Sequence, residues 1–233
     1  MNTKKLKNKP RPTVVLGDIH GSTYWETVIA ENPDCLHIFL GDYLDPYEVI
    51  PTWRLIGNLK KIINLKKNRP DDVILLLGNH DLHYIYSEFD PCSRFDDEIA
   101  DDAHALFSEN IHLFMSAYQK ANIVFTHAGI SEKWFFDDFG GDASKNIAEQ
   151  LNHPHPDQLP ALYRCGARRG GDFHAVGGIF WADVDELNVP LQGYVQFVGH
   201  NRVGKIYKYA ANNGVIIFCD CLYNREYFKS MEF

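Results

Sequence analysis

Three short apolar segments alternate with two helical patterns in the first third of the chain, and this alternation restricts the fold more than any other feature. The segments TVVL, CLHIFL and DVILLL occupy residues 13–16, 35–40 and 72–77. Their lengths and their content of β-branched and aliphatic residues predict strands. Strands that alternate with helices over residues 13–78 predict βαβ crossovers and a largely parallel sheet.

The two segments between these strands predict helices. Ser22 can cap the first helix, and Pro51 suits the first turn of the second, which runs to about Asn68. On the second helix, four apolar residues at helical spacing are expected to face inward. They are Trp53, Ile56, Leu59 and Ile63. The opposite face is rich in lysine, which is typical of a solvated helix surface.

Three further apolar segments predict strands in the rest of the chain. NIVFT, YVQFV and GVIIFC occupy residues 122–126, 194–198 and 214–219. Residues 111–129 fit either a helix followed by a strand or a hairpin, and the polar break QKAN favours the hairpin. Short turns that contain Gly and Asn predict an antiparallel meander over residues 194–233.

The chain is expected to form one domain over residues 13–233. Its length of 233 residues and its 45% content of hydrophobic residues suffice for a single core. The basic opening, residues 1–12, lacks the apolar region of a signal peptide and the length of a membrane span, so it predicts a flexible solvated tail. Residues 140–178 are rich in Gly, Pro, His and Arg, and they predict an irregular insertion over the sheet edge.

The net charge and the cysteine content limit which binding partners and which cellular compartment we expect. The formal net charge of −8 argues against a broad basic surface that would bind duplex nucleic acid. No apolar run reaches the ~18 residues of a membrane helix, so we expect no membrane partner. The five cysteines include no CxxC pair, and their odd number predicts reduced thiols. We therefore expect a soluble cytoplasmic protein whose substrate is small or locally recognised.

Five of the predicted strands end in side chains that can bind a metal. The motifs are GDIHG (17–21), GDYLD (41–45), GNHD (78–81), HAG (127–129) and GH (199–200). The carboxyl ends of strands in an open α/β sheet form the crevice where ligands bind, so these side chains can converge. The glycine before four of them allows the backbone to approach an ion closely. The candidate ligands are Asp18, His20, Asp42, Asn79, His127 and His200.

The types of these side chains indicate which chemistry they support. Two desolvated carboxylates in one crevice are costly unless cations accompany them. Oxygen and imidazole donors without a thiolate suit two divalent ions, with Mn, Fe or Zn preferred. Two such ions ~3.5–4 Å apart can hold the attacking and leaving oxygens of a phosphoryl displacement. The residues thus predict metal-assisted hydrolysis of a phosphate ester.

In this order, the five motifs resemble those of the calcineurin-like metallophosphoesterase superfamily. GDIHG and GDYLD bring the chain closest to the phosphoprotein phosphatase (PPP) branch and its bacterial relatives, which include dinucleoside tetraphosphate hydrolases. The resemblance spans residues 13–200. It implies an α/β fold, α+β by some schemes: a four-layer αββα sandwich of two mixed sheets flanked by helices, with a dinuclear metal centre at one end.

The resemblance also implies a role for each motif residue. Asp18 and His20 would bind the first metal, Asp42 would bridge both, and Asn79, His127 and His200 would complete the second. His80 would lie beside the substrate and protonate the leaving oxygen, while Asp45 would hold its ring in the useful tautomer. The chemistry agrees, because an alkoxide leaving group benefits from a positioned acid and a carboxylate raises the pKa of an imidazole.

One element of the PPP pattern is missing. Pro46 and Tyr47 stand where that pattern continues with arginine and glycine, the arginine gripping the substrate phosphate. A guanidinium is still favoured, because its planar fork satisfies two phosphate oxygens at once. The candidates are Arg202, the pair Arg168 and Arg169, and Arg164, with Asn79 a further substrate contact. Each arginine taken singly also fits a solvated surface position.

The sequence leaves three functions open. The first is a dinuclear phosphomonoesterase in which a hydroxide that bridges the metals attacks a phosphoprotein or a small phosphoester. The second is a dinucleoside polyphosphate hydrolase or nucleotide phosphatase, and the third is a non-catalytic module that binds phosphorylated partners through its metals. The presence of both His80 and Asp45 favours an enzyme, because a structural metal site needs neither.

Overall fold

Two five-stranded sheets pack face to face in the computed structural model, which describes residues 11–86, 88–89 and 92–230. Most of the predicted basic tail lies outside these residues. In chain order the strands are β1 (Thr13–Leu16), β2 (Leu36–Phe39), β3 (Val73–Leu76), β4 (Phe114–Met115), β5 (Ala117–Lys120), β6 (Ile123–Thr126), β7 (Val195–Val198), β8 (Tyr207–Ala211), β9 (Gly214–Phe218) and β10 (Phe228–Lys229).

In the described part of the chain, six α-helices flank or connect these strands. They are α1 (Tyr24–Glu31), α2 (Thr52–Asn68), α3 (Asn79–Ile85), α4 (Ala100–Asn110), α5 (Ile147–Asn152) and α6 (Leu159–Leu162). The segment predicted to be irregular, residues 140–178, contains α5, α6 and two 3-10 turns. Within the described residues, no helix combines the length and the apolar character that a membrane span requires.

The first sheet has the order β10-β1-β2-β3-β4. Its strands β1 to β4 run parallel, and β10 adds an antiparallel edge beside β1. Helices α1 and α2 form the crossovers between the first three strands, as the alternation in the sequence predicts. Nearly every residue of β1 to β3 is buried, because helices cover one face of this sheet and the second sheet covers the other.

The second sheet has the order β5-β6-β7-β9-β8. Strands β5 and β6 pair antiparallel, which confirms the predicted hairpin. The predicted meander over residues 194–233 is wrong: β7 pairs parallel with β9, and β10 joins the first sheet. The reason lies in the strand compositions. The apolar β9 takes an interior position, whereas β8, with sequence YKYAA, is largely exposed and forms the edge.

Apolar side chains from both sheets form the core between them. Val15 and Ile38 from the first sheet belong to the same buried cluster as Phe125 and Phe197 from the second. The rings of Phe125 and Phe197 stack with centroids 5.1 Å apart. The predicted sandwich of two mixed sheets flanked by helices is therefore confirmed.

Helix α2 differs from its prediction at one residue. Ile56, Leu59 and Ile63 are buried as predicted, but 74% of Trp53 is exposed. Trp53 lies in the first turn, and the helical period places it away from the stripe centred on Leu55 and Leu59 that faces the sheet. The five cysteines are all free thiols, as predicted.

Candidate metal centre

The polar side chains of the five motifs meet at one end of the sandwich. Asp18 follows β1, Asp42 follows β2 and Asn79 follows β3, while His127 and His200 follow β6 and β7 of the other sheet. Hydrogen bonds join residues of the two sheets directly, since the backbone N–H of His200 donates to Asp18 Oδ1 at 3.0 Å. Both sheets therefore contribute ligands to one cleft.

Four of the motif residues have a left-handed backbone. The φ angles are +41° at His20, +53° at Asp42, +58° at Asp45 and +57° at His200. Residues with a Cβ rarely adopt this conformation, and those that do cluster at functional sites. Neighbouring backbone holds the turns in place: for example, the His20 N–H donates to the Asp42 carbonyl at 2.7 Å.

Two motif glycines allow carboxylates to touch the backbone. A Cβ on Gly78 would lie 2.1 Å from Asp42 Oδ1, and one on Gly199 would lie 2.1 Å from Asp18 Oδ1. The same Asp42 oxygen accepts a hydrogen bond from the backbone N–H of His80 at 2.9 Å. The sequence predicts that these glycines let the backbone approach an ion closely. In the structure they instead make room for the carboxylates that would bind the ion.

The first ligand group consists of Asp18, His20 and Asp42. One donor atom from each residue lies within 4.8 Å of the others. His20 Nε2 is 3.9 Å from Asp18 Oδ2 and 3.7 Å from Asp42 Oδ2. His20 Nδ1 lies 2.9 Å from the Leu44 carbonyl, so Nδ1 carries the hydrogen and Nε2 presents a lone pair to the carboxylates.

The second ligand group consists of Asp42, His127 and His200, joined by Asn79. His127 Nε2 is 3.5 Å from Asp42 Oδ2. Asn79 Oδ1 lies 2.9 Å from both His127 Nε2 and His200 Nδ1. His127 Nδ1 donates to the Leu40 carbonyl at 2.8 Å, so its Nε2 also presents a lone pair. Asp42 belongs to both groups, which is the position of a bridging ligand.

The electrostatics of these residues fit a pair of divalent cations. Burial, followed by neighbouring carboxylates, raises the pKa values of Asp18 and Asp42 well above their ordinary range. Burial also lowers the pKa values of His20 and His127 to about 3, so both rings are neutral. The neutral His127 Nε2 then faces Asn79 Oδ1, and two acceptors meet without a hydrogen between them. A cation bound among these oxygens and imidazoles removes both costs.

Asp45 and His80 form a hydrogen-bonded pair beside the ligand groups. His80 Nδ1 is 2.7 Å from Asp45 Oδ2, and the fully buried Asp45 also accepts from the Tyr84 hydroxyl at 2.6 Å. His83 Nε2 lies 3.0 Å from the same Asp45 oxygen as His80. Burial alone would raise the pKa of Asp45, but these contacts bring it below its ordinary value. Asp45 is therefore an anion that orients His80, whereas His83 Nε2 lies close to Asp45 without hydrogen-bond geometry.

Sequence reasoning missed two buried aspartates. Asp81, the last residue of GNHD, accepts from the backbone N–H groups of Gly78 at 2.7 Å and Asp42 at 2.9 Å, so it ties the ends of β2 and β3 together. The position of Asp81 inside the GNHD motif was the sign in the sequence that could have identified it. Asp220 follows β9 and lies beside Asp18, and burial raises its pKa to about 6. Its only signal was its place at the end of a sixth predicted strand.

A cleft of about 620 Å³ opens over the ligand groups, and a smaller one of about 260 Å³ adjoins it. Arg169 lines the larger cleft, with its Nε 2.8 Å from Asp183 Oδ2. Arg202 lines the smaller cleft. A further arginine, Arg94, lines the larger cleft near His80. It belongs to no motif, so only the fold reveals it.

Two of the predicted arginines lie away from both clefts. Arg164 pairs with Asp138 at 2.9 Å, and Arg168 lies 3.6 Å from Asp185 with 65% of its side chain exposed. The 3-10 turn Ala167–Arg169 explains why neighbouring arginines separate, since its three residues per turn direct successive side chains about 120° apart. Arg168 and Arg169 therefore cannot both face the cleft.

Comparison with known sequences gives two matches. The sequence profile of the calcineurin-like phosphoesterase family matches residues 11–219. Serine/threonine-protein phosphatase ppe1 of Schizosaccharomyces pombe is 35% identical over 100 residues, which cover 40% of this chain and 31% of that protein. The matched part thus spans about a third of the length of this relative.

Comparison with solved structures supports the fold. A cold-active protein-tyrosine phosphatase from a psychrophilic Shewanella species superposes with a TM-score of 0.57 and 16% identity, over 91% of this chain and 72% of that chain. A protein serine/threonine phosphatase from Saccharomyces cerevisiae superposes with a TM-score of 0.52 and 17% identity, over 90% and 67% of the two chains. At these identities the likeness concerns the architecture alone.

Proposed function

The chain belongs to the calcineurin-like phosphoesterase family, a family of phosphoric ester hydrolases, and on this premise we propose that it is a two-metal phosphomonoesterase. Its proposed substrates are phosphorylated proteins or small phosphoesters. The position of Asp42 carries the proposal: its Oδ2 lies 3.7 Å from His20 Nε2 and 3.5 Å from His127 Nε2. One carboxylate thus reaches both ligand groups, as a two-metal site requires.

The proposed ligands divide between two ions. Asp18 and His20 would hold the first and Asp42 would bridge both, while the second would be held by Asn79, His127 and His200. The donor set favours Mn, Fe or Zn. When bound, the two ions would supply Lewis acidity to the phosphoryl oxygens and lower the pKa of an attacking water.

His80 is the proposed general acid. Its Nδ1–H donates to Asp45, so the ring is fixed and Nε2 is turned into the cleft. From there His80 would transfer a proton to the leaving oxygen as the P–O bond breaks. Burial lowers the pKa of His80, and Asp45 offsets part of this effect because its carboxylate would stabilise the protonated ring.

The cleft offers cations and an amide for the substrate. Arg169 lies at the cleft wall, while Arg202 would reach a substrate that extends into the smaller cleft. Asn79 also lines the larger cleft and could contact the substrate beside the second ion. Arg168 would meet only a substrate that extends past the cleft onto the surface.

A second candidate function is hydrolysis of dinucleoside polyphosphates. The two clefts share Asp18, His20 and Tyr47, so they meet at the first ligand group. A substrate with large groups on both sides of the scissile phosphate would occupy both clefts. A phosphomonoester needs only one.

Metal reconstitution tests these proposals. The protein is stripped of metal, reloaded separately with Mn, Fe, Zn, Ni or Mg, and assayed on p-nitrophenyl phosphate, its bis-ester and a diadenosine polyphosphate. We expect restored turnover of the monoester, and nucleotides from the third substrate alone would favour the second function. Stoichiometric metal binding without turnover of any substrate would reject both in favour of a phosphate-binding module.

A further inference from the structure

We infer that Arg94 supplies the phosphate contact that is missing from the positions after Asp45, and that Tyr47 holds Arg94 in place. The inference deepens the proposed function and rests on it. Pro46 and Tyr47 occupy the two positions after Asp45, so neither position offers a cation. Arg94 comes from the segment between α3 and α4, 49 positions after Asp45.

The position of Arg94 places its charge beside the proposed acid. The guanidinium lines the larger cleft together with the ligand residues Asp18 and His20. Its Nη2 lies 3.4 Å from His80 Nε2, the atom proposed to face the leaving oxygen. A phosphoryl group within reach of both the ligand groups and His80 would therefore lie against this guanidinium.

Two contacts fix the plane of the guanidinium. Arg94 Nε donates to the Asp45 carbonyl at 2.9 Å. The guanidinium carbon lies 3.8 Å from the centre of the Tyr47 ring, within the range of a cation–π contact. The terminal nitrogens make only long contacts, Nη1 with Ser93 Oγ at 3.5 Å and Nη2 with His80 Nε2 at 3.4 Å. Their remaining N–H groups can bind two oxygens of one phosphate as a planar fork. Tyr47 is thus a positioning residue that acts through Arg94.

The charge of Arg94 is also less compensated than that of Arg169, the other arginine that lines the larger cleft. Among the residues that the structure describes, no carboxylate lies within 4.0 Å of its guanidinium nitrogens. Arg169, by contrast, pairs with Asp183 and donates to Asn201 at 2.8 Å. An uncompensated cation in a cleft attracts an anion more strongly than one already paired.

Arg202 is a weaker candidate for the same contact. Its guanidinium lies 3.7 Å from the Tyr223 ring centre and 4.6 Å from that of Tyr47, and it lines the smaller cleft. Tyr47 therefore contacts two arginines from distant parts of the chain, of which Arg94 is the one in the larger cleft. Tyr47, which stands where the PPP pattern continues, therefore provides the ring on which the Arg94 guanidinium packs.

Titration with inorganic phosphate tests the role of Arg94. Metal-loaded wild type, Arg94→Ala, Arg94→Lys and the control Arg54→Ala, an exposed residue of α2, are titrated by calorimetry. We expect Arg94→Ala to weaken phosphate binding roughly 10- to 100-fold and Arg94→Lys to restore part of the loss, because a charged hydrogen-bond partner is removed in the first and retained in the second. The control should bind as wild type does. KM for p-nitrophenyl phosphate should rise in parallel.

Variants of Tyr47 test the positioning role. Tyr47→Phe keeps the ring and should bind phosphate as wild type does, whereas Tyr47→Ala should weaken binding about 3- to 10-fold. In an Arg94→Ala background, Tyr47→Ala should add little, because the contact through which it acts is already gone. Equal losses from Tyr47→Ala in both backgrounds would overturn the positioning role.

Two results would overturn the inference about Arg94. One is unchanged phosphate affinity in Arg94→Ala, and the other is a loss of bound metal in that variant, which would assign its effect to the metal centre. Failure of the proposed function gives a different pattern. The wild type would then bind phosphate without hydrolysing any ester, and the titration would still decide whether Arg94 makes the contact.

Discussion

The floor of the larger cleft lies at the ends of strands, whereas its rim comes from loops. The floor is the set of proposed ligands, all of which line the cleft except the buried His127, namely Asp18, His20, Asp42, Asn79, His127 and His200. The rim includes Tyr47, Arg94, Arg169 and Trp181. Backbone carbonyls hold two floor imidazoles, through Leu44 and Leu40. Side chains help to hold the rim arginines, since Arg94 packs on Tyr47 and Arg169 pairs with Asp183.

The two regions should therefore control different properties. Floor residues are fixed by turns that the strand ends impose, so a change there should alter metal binding and the chemical step. Rim residues are held by contacts between loops, so a change there should alter substrate affinity while the metals stay bound. Substitutions in each region, paired with matched controls, test this division.

Asp42→Asn should have the largest effect, because it removes the carboxylate shared by both ligand groups. We expect turnover to fall at least about 10³-fold, since several kcal/mol of charge stabilisation would be lost with the metals. Metal content by mass spectrometry should fall below that of the control Asp185→Asn, a surface residue. Two metals retained per chain in Asp42→Asn would contradict the bridging role.

His80→Asn should slow the chemistry without releasing metal, because His80 belongs to neither ligand group. We expect kcat to fall about 10²-fold, as for removal of a positioned acid. The loss should be larger for an alkyl phosphate than for p-nitrophenyl phosphate, because a poor leaving group depends more on protonation. Equal losses on both substrates, or any loss in the exposed control His153→Asn, would contradict general acid catalysis.

The division between floor and rim also explains what the sequence could predict. Each floor residue follows a short apolar strand within a few positions, so a local pattern reveals it. Arg94 reaches its place only through α3 and the loop after it, and its partner Tyr47 lies in another loop, so no local pattern joins them. Similarly, the order of β7, β9 and β8 depends on which strand is buried in the interior of the sheet. The sequences of the turns do not encode this choice.

Gly78→Ala tests whether the floor depends on backbone contact. Its Cβ would lie 2.1 Å from Asp42 Oδ1, so we expect unfolding free energy to fall by about 1–3 kcal/mol and metal affinity to fall about 10-fold. Gly57→Ala is the control, because nothing lies within 4 Å of a Cβ there and α2 favours alanine by about 0.5–1 kcal/mol. In denaturant unfolding, Gly78→Ala should be less stable than wild type and Gly57→Ala should be more stable. Equal stabilities would show that the floor tolerates a methyl group.

Arg169→Ala and Arg168→Ala should show the smallest effects and the sharpest contrast. Both remove one charge from the same turn, but only Arg169 lines the cleft. We expect KM to rise about 3- to 10-fold in Arg169→Ala, with kcat and metal content close to wild type, because one hydrogen-bonded contact is worth about 0.5–1.5 kcal/mol. Arg168→Ala should match wild type in steady-state kinetics. A loss of metal in Arg169→Ala would contradict the division between floor and rim. Arg169 would then support the ligand His200 through its hydrogen bond to the neighbouring Asn201.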